Sequence, residues 1–393
     1  MKILHCSDVH LGKKPFGTKE FSQKRYLDFF KTFDEIIDIG ISENIDLFIV
    51  AGDLFDKKEL TPDTLEKCEK SFQKLKNKGI KVFLIEGNHD NIVGNDDVNS
   101  WLGYLEKKDF IHRGKYSLNN KEYHFEKLVL DDINIYGLGY SGFMIDELIE
   151  NLAKQLNENE KNIVVVHTAL GGGEYLPGLV TSEAIKKLKN KAIYIAGGHL
   201  HSYQIYPKDN PYFFIPGSLE YWNVLNEKNN KKGGIIFDTN TKEYKFVEVT
   251  PRKRIEVNFE YINNLNEEFK LFCKNLNLTG EELVIVNLKI IGNSFINVIE
   301  LENILETSGA LRGYIRLQYV DNSTTEMFDE KGAYSIKAAE LNVISNWEDF
   351  KDSNQVLEYL QKFKEYQEDK DRLNDFLILF DQMLEEEIGI ENK

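Results

Sequence analysis

Cysteine is scarce in this chain. The 393 residues hold three, Cys6, Cys68 and Cys273, far apart and in no Cys-x-x-Cys pair. That excludes a disulfide framework and a thiolate metal centre, and fits a reducing compartment. Long apolar runs are also missing: none approaches the roughly 18 residues of a membrane span. Met1 leads straight into the strand-like run Lys2–Cys6, with no charged segment followed by an apolar stretch. Together these predict a soluble, cytoplasmic protein. Basic charge is in deficit, 49 Lys and Arg against 65 Asp and Glu, a net charge of −16. Residues 346–393 carry 14 Asp or Glu against 6 Lys or Arg, which is half of that excess. An acidic total still leaves room for a local basic groove, and bound divalent cations add positive charge where a phosphate would sit.

What is present is a folding sequence, 41% hydrophobic and 12% aromatic, long enough for two or three domains. Residues 1–250 read as an α/β domain. Apolar runs recur at Ile3–Cys6, Leu47–Ala51, Val82–Ile85, Ile163–Val166 and Ala192–Ala196, with helical patterns between several of them, as at Phe21–Glu43 and Thr61–Lys78. Stretches 110–140 and 203–249 read as antiparallel hairpins, with turns at Asp131-Asp132 and Asp238–Thr241. Residues 251–321 form a smaller α/β unit: strands at Ile255–Phe259, Leu283–Ile291 and Leu311–Val320, helices at 263–276 and Asn297–Glu306. Residues 322–345 read as a linker. In 346–393, Leu373, Phe376, Leu377, Phe380, Met383, Leu384 and Ile388 recur at helical spacing. With a shorter helix before them they form a helical hairpin, packed on its own protein or presented to a partner helix pair.

Five segments carry the chemistry: Asp8-Val9-His10-Leu11-Gly12, Gly52-Asp53-Leu54-Phe55-Asp56, Gly87-Asn88-His89-Asp90, His167-Thr168 and Gly198-His199-Leu200-His201. Each follows an apolar strand, and ligands bind at the carboxyl ends of strands in open α/β sheets. Five of the eight histidines fall in these segments. Asp8, His10, Asp53, Asn88, His167, His199 and His201 supply only nitrogen and oxygen, which suits Mn, Fe or Zn. Seven donors exceed one tetrahedral centre. They suit two metals about 3.5 Å apart sharing a carboxylate, able to activate a bridging hydroxide and neutralise a phosphate.

In this order the five segments resemble the signature of the calcineurin-like metallophosphoesterase superfamily. The resemblance implies a sandwich of central β-sheets flanked by helices. Carried over residue by residue, it makes Asp8, His10 and His201 ligands of one metal. Asn88, His167 and His199 become ligands of the other, with Asp53 as the bridge. His89 matches the histidine that contacts the substrate phosphate. Asp90 stands where it would hold and polarise His89, or merely cap its loop. His5 reads as a core or supporting residue, and His112 and His124 as solvent or packing residues.

The opening Ile3–Gly12, the segments at Gly52–Asp56 and Gly87–Asp90, and Pro216-Gly217-Ser218-Leu219-Glu220 further resemble the SbcD/Mre-eleven DNA-repair nucleases. Val9 departs from that pattern, where many relatives carry Trp. The resemblance implies two divalent ions, most readily Mn2+, and phosphodiester cleavage as a 3′-to-5′ exonuclease on duplex ends and an endonuclease on single strands. It also implies a DNA-contacting cap, a homodimer, and an SbcC-type SMC-like ATPase bound through the C-terminal hairpin. Lys13, Lys14, Lys57 and Lys58, beside the first two motifs, are candidate DNA-backbone contacts or plain solvated lysines. Arg252, Lys253 and Arg254 could line the same groove. Trp101, Leu102, Tyr104 and Leu105 form a dimer surface or an ordinary buried helix. Two rival functions are a stand-alone phosphoesterase acting on a small phosphodiester and a non-catalytic scaffold for the ATPase.

Overall fold

The computed structural model describes residues 1–90, 100–171, 177–227, 231–261, 265–291, 296–320, 352, 355–360 and 362. The apolar runs become strands because each is buried on both faces. β1 (Lys2–Cys6), β2 (Leu47–Ala51), β3 (Lys81–Ile85) and β4 (His112–Arg113) lie side by side in that order, all parallel. β4 therefore extends the parallel sheet, whereas the sequence suggested a hairpin there. Next come a hairpin of β5 (Tyr116–Asn119) and β6 (Glu122–Phe125), and one of β7 (Lys127–Leu130) and β8 (Ile133–Leu138). The second turns at Asp131-Asp132 as expected, with Asp131 at φ 52°.

A second sheet grows from β8 through β9 (Lys161–Val166), which is followed by the short pair β10 (Ala169–Leu170) and β11 (Leu179–Val180). The sheet continues with β12 (Tyr194–Ala196), β13 (Gln204–Tyr206) and β14 (Phe213–Ile215), in the order β13-β14-β12-β9-β8-β7. β12 starts two residues later than the apolar run. The Ala192 N–H closes a turn onto the Leu188 carbonyl and is not available to the ladder. The first sheet is completed by β15 (Gly233–Asp238), antiparallel to β1, and β16 (Tyr244–Glu248) at its edge.

Strand alternation sorts the side chains into layers. Ile3, Leu47, Ile49, Phe83 and Ile85 of the first sheet meet Ile135, Ile163, Val165, Tyr194 and Phe214 of the second in one buried cluster. Their neighbours Leu4, Cys6, Phe48 and Val50 face outward to α1 (Lys19–Ser42), α2 (Pro62–Asn77) and α3 (Trp101–Lys107). Val164, Val166 and Ile195 likewise face α4 (Ile145–Gln155) and α5 (Ser182–Lys186). The result is helices, sheet, sheet, helices: the α/β sandwich expected. α1 buries Phe21, Tyr26, Phe29, Phe33, Ile36 and Ile37 along one stripe, and its first turn is capped by Thr18, which accepts the Phe21 N–H. Truncating fully buried Phe33 to Ala would cost about 3–5 kcal/mol.

Beyond β16 the chain forms β17 (Arg254–Tyr261), α6 (Leu265–Asn275), β18 (Leu283–Ile291), α7 (Val298–Thr307) and β19 (Arg312–Val320), with a sheet in the order β17-β18-β19. The chain divides into two compact units. The first comprises 1–259, 264–287 and 297–316, and the second 260–263, 288–296 and 317–393. Within the first, Phe21 packs with Val224, Leu283 and Ile285. The expected linker 322–345 lies outside the described residues, as does most of the expected hairpin 346–393. Residues 355–360 of the latter are helical, with Val356 and Leu357 buried. No helix among the described residues is long and apolar enough to cross a membrane.

Candidate metal centre

All five motif loops leave the carboxyl ends of β1, β2, β3, β9 and β12. The first two are tied together through the backbone. The Asp8 N–H donates to the Gly52 carbonyl at 3.1 Å, and the Val9 and His10 N–H groups both donate to the Asp53 carbonyl, at 2.9 and 3.0 Å. This lacing holds Asp8, His10 and Asp53 at φ 52°, 53° and 53°, and His199 stands at 76°. Each such left-handed non-glycine residue costs about 1–3 kcal/mol, strain that clusters at functional sites. Two motif glycines are needed for space. A Cβ on Gly87 would stand 2.0 Å from Asp53 Oδ1, and one on Gly52 2.1 Å from His167 Nδ1.

The seven donors read from the sequence are brought to one place. Asp8, His10 and His201 form one trio of mutually close ligand atoms; Asp8, Asp53 and His167 form another, and His10, Asp53 and His89 a third. Asn88 Oδ1 lies 3.1 Å from His167 Nε2 and 3.0 Å from His199 Nδ1. Asp53 sits between the groups, its Oδ2 3.8 Å from His10 Nε2 and 3.5 Å from His167 Nε2.

The ring nitrogens show what this arrangement accepts. His167 Nδ1–H donates to the Ala51 carbonyl at 2.7 Å. The Nε2 of the neutral ring is then a lone pair, facing the Asn88 amide oxygen and the Asp53 carboxylate. His201 Nδ1–H donates to Glu227 Oε1 at 2.8 Å, which turns its Nε2 lone pair toward His10 Nε2, 3.1 Å away. The buried His10 Nδ1 has no hydrogen-bond partner among the described residues. Lone pairs facing lone pairs are relieved by a shared cation, and the donor set fits borderline divalent metals. Without one, protons take up the demand. Burial works against a charged His167, but the Asp53 and Asp8 carboxylates overcome it and raise its pKa to about 9. Burial would also raise Asp53, yet His167 and His10 hold it below the usual carboxylate range. Desolvation of the half-buried ring, then the nearby His167, lowers His199 to about 4.

Of the two roles read for Asp90, support of His89 or capping of its loop, the geometry favours the second. The Asp90 carboxylate makes its hydrogen bonds away from His89. Its Oδ2 accepts the N–H groups of Leu54 at 2.7 Å and Phe55 at 3.3 Å, and its Oδ1 accepts that of Gly87 at 2.6 Å. Asp90 therefore braces the second and third motif loops, because three backbone donors converge on its buried carboxylate. Burial, then the nearby Asp53 charge, raises its pKa to about 7. His89 is instead oriented by the Asp56 backbone carbonyl, which accepts its Nδ1–H at 2.8 Å.

The lysines also differ among themselves. Lys13 Nζ stands 3.4 Å from Asp56 Oδ1 and 3.8 Å above the Trp222 ring, and Lys14 lies 4.5 Å over Tyr26. Lys57 and Lys58 are exposed. Arg252 pairs with Asp28 and Glu281, Lys253 with Glu282 and Arg254 with Glu256, so all three engage carboxylates. Leu102 and Leu105 are core residues of α3. Trp101 and Tyr104 are half-buried, the first donating to the Lys58 carbonyl and the second to Glu69. His5 is buried and structural: its Nε2–H donates to the Gly197 carbonyl and its Nδ1 accepts from the Tyr194 hydroxyl, each at 3.0 Å.

Sequence reasoning gave no role to Asp56, Trp222, Glu227 or Lys232. Buried Asp56 accepts the Trp222 indole N–H at 2.7 Å, and Trp222 packs against the rings of His10, His89 and His201. Asp56 closes the second motif and Trp222 follows Pro216–Glu220 by two residues, which are the available signals. Glu227 and Lys232 lie in no motif.

The profile of the family described as calcineurin-like phosphoesterase matches residues 1–203, more than half of the chain. The chain belongs to the calcineurin-like phosphoesterase family. That stretch holds all seven donors and His89. Among its relatives is the DNA double-strand break repair protein Mre11 of Archaeoglobus fulgidus, 27% identical over 68% of this chain and 64% of that protein. The Mre11 proteins of Sulfurisphaera tokodaii and Methanosarcina mazei are each 26% identical. The first match covers 84% of this chain and 82% of the relative, the second 79% and 49%. The match thus spans under two thirds of the first of these relatives and about half of the third. The resemblance to the SbcD/Mre-eleven branch, drawn from the motifs, is borne out.

Proposed function

We propose that the chain is a two-metal DNA nuclease, Mn2+ its metal, cutting duplex ends 3′-to-5′ and single strands internally. The observation that carries this reading is the convergence of Asp8, His10, Asp53, Asn88, His167, His199 and His201 beside His89, in a chain with double-strand break repair proteins among its relatives. Asp8, His10 and His201 would hold one ion, Asn88, His167 and His199 the other, and Asp53 both. The ions, when bound, would supply an activated water and neutralise phosphate charge.

The chain's own residues do the rest. With Nδ1 given to the Asp56 carbonyl, His89 offers Nε2 to the substrate. In its protonated form that N–H donates to a phosphate oxygen or to the departing 3′-oxygen, leaving a 3′-hydroxyl and a 5′-phosphate. Trp222 and buried Asp56 wall this ring and hold it in place. Exposed Lys57 and Lys58 are the best remaining candidates for contacts to the DNA backbone, with Lys14 next.

Residues 251–321 would act as a DNA-contacting cap, 322–345 as a linker, and 346–393 as a helical hairpin binding an SMC-like ATPase. The protein would work in the cytoplasm as a homodimer. A stand-alone enzyme for small phosphodiesters is the second reading, favoured by the acids that engage Lys13 and Arg252–Arg254. The test is Mn2+-dependent cleavage of end-labelled duplex and single-stranded DNA beside a chromogenic phosphodiester. Asp53→Ala and His199→Ala should abolish all cleavage, and retained activity in either would overturn the site. Hydrolysis of the small ester alone, with DNA left intact even when the ATPase is added, would favour the second reading.

A further inference from the structure

His201 is held differently from the other rings of the centre. The N–H groups of His167 and His89 end on neutral backbone carbonyls, those of Ala51 and Asp56. That of His201 ends on a carboxylate, Glu227 Oε1, at 2.8 Å. The carboxylate is itself built in. Its Oε1 also accepts the Asn223 N–H at 2.8 Å, and its Oε2 accepts from the Lys232 ammonium at 2.5 Å. The Lys232 side chain has no solvent exposure. Its ammonium also donates to Ser218 Oγ at 2.6 Å and to the His201 backbone carbonyl at 3.3 Å. Lys232 therefore grips His201 at both ends, directly at the backbone and through Glu227 at the ring. Ser218 comes from the Pro216–Glu220 motif, whose purpose is otherwise unexplained.

A buried lysine is expensive, and a buried pair of this kind is no better for stability than well-packed apolar residues. Its use lies in what it does to the imidazole. A carboxylate can only accept, so it forces the proton onto Nδ1 and leaves the Nε2 lone pair for the centre. It also makes that lone pair a stronger donor than a carbonyl would. The Lys232 charge balances Glu227, so the acceptor adds no net negative charge to a site already holding Asp8 and Asp53.

We propose that the buried Glu227–Lys232 pair is a positioning device for His201, fixing its tautomer and setting the affinity of the metal subsite that His201 forms with Asp8 and His10. This rests on reading the cluster as a metal centre. The test is Mn2+ titration of the full chain by calorimetry, in the wild type and in the double variant Glu227→Met, Lys232→Met, which removes both charges together. The metal-free melting temperature of each protein is measured alongside. We expect two sites in the wild type. In the double variant one site should weaken about 10- to 100-fold and the other stay within about twofold, with the fold retained.

A folded double variant that binds both ions as the wild type does would overturn the proposal, since the pair would then serve only the loop. A wild type that binds no Mn2+ would overturn the metal-centre reading itself. A second readout needs no variant: the histidine nitrogen spectrum of the metal-free wild type. Above the pH at which the ring is neutral, a His201 proton on Nδ1 supports the proposal, and one on Nε2 overturns it even if the double variant fails to fold.

Discussion

The Asp56 backbone carbonyl lies 2.8 Å from His89 Nδ1 and is itself fixed on both sides. The Asp56 N–H donates to the Leu11 carbonyl at 3.0 Å, and the Asp56 carboxylate accepts from Trp222. A group that orients a ring through main chain survives mutation of its own side chain. His89→Ala should therefore lower cleavage about 10²- to 10⁴-fold and leave Mn2+ binding as in the wild type. Turnover at saturating Mn2+, beside a separate calorimetric titration, checks it. Because His89 also belongs to a potential ligand trio with His10 and Asp53, a parallel fall in metal affinity would reassign it as a ligand.

Asp90 should behave as a brace. Asp90→Ala would strand the buried N–H groups of Gly87, Leu54 and Phe55, each loss costing about 1–3 kcal/mol. Urea unfolding of the metal-free protein should register at least about 2 kcal/mol of destabilisation. Asp90→Asn keeps one accepting oxygen and should fall between wild type and alanine. Full stability in Asp90→Ala with lost cleavage would restore the support of His89 that the sequence suggested.

Much of this was legible in the sequence for a physical reason. A strand buried between a second sheet and a helical layer shows no polar face, so Leu47–Ala51 and Ile163–Val166 stand out as unbroken apolar runs. The ligands follow them directly, and strand ends are sharp positions. The supports are different. Asp56 meets Trp222 across 166 residues, and Glu227 meets His201 from a loop with no period of its own. Such pairings depend on how two sheets stack, which no local pattern records. For the same reason Arg252 looked available for DNA. Nothing near it in the chain announces that Asp28, 224 residues away, accepts its guanidinium.

The lone pairs crowded around Asp53 make the metal-free centre a source of instability. Bound Mn2+ should raise the melting temperature, with a stabilisation of about 2.7 kcal/mol at a free concentration 100 times Kd. A chelator should reverse it. Asp53→Ala removes the carboxylate common to both proposed subsites, so its melting temperature should be nearly indifferent to Mn2+. An Asp53→Ala protein that still gains full stability from Mn2+ would place the stabilising ion elsewhere.

Glu282 gives a pH-dependent test remote from the centre. Its side chain is buried, and burial alone would raise its pKa. The Thr279 N–H and hydroxyl, each at 2.8 Å, and the Lys253 ammonium at 3.0 Å outweigh that and bring it to about 2. A carboxylate whose pKa is lower folded than unfolded binds fewer protons in the native state. Its stabilisation is complete above the ordinary value of 4.5 and is lost as pH falls through about 2. Glu282→Gln lacks the charge at every pH. The stability gap between wild type and variant should thus be constant from pH 7 to about pH 5 and close between pH 4.5 and 2, as the unfolded chain takes up a proton that the native carboxylate does not. Urea midpoints across that range measure it. A gap unchanged down to pH 2 would mean that Thr279 and Lys253 hold the shape of the side chain and not its charge.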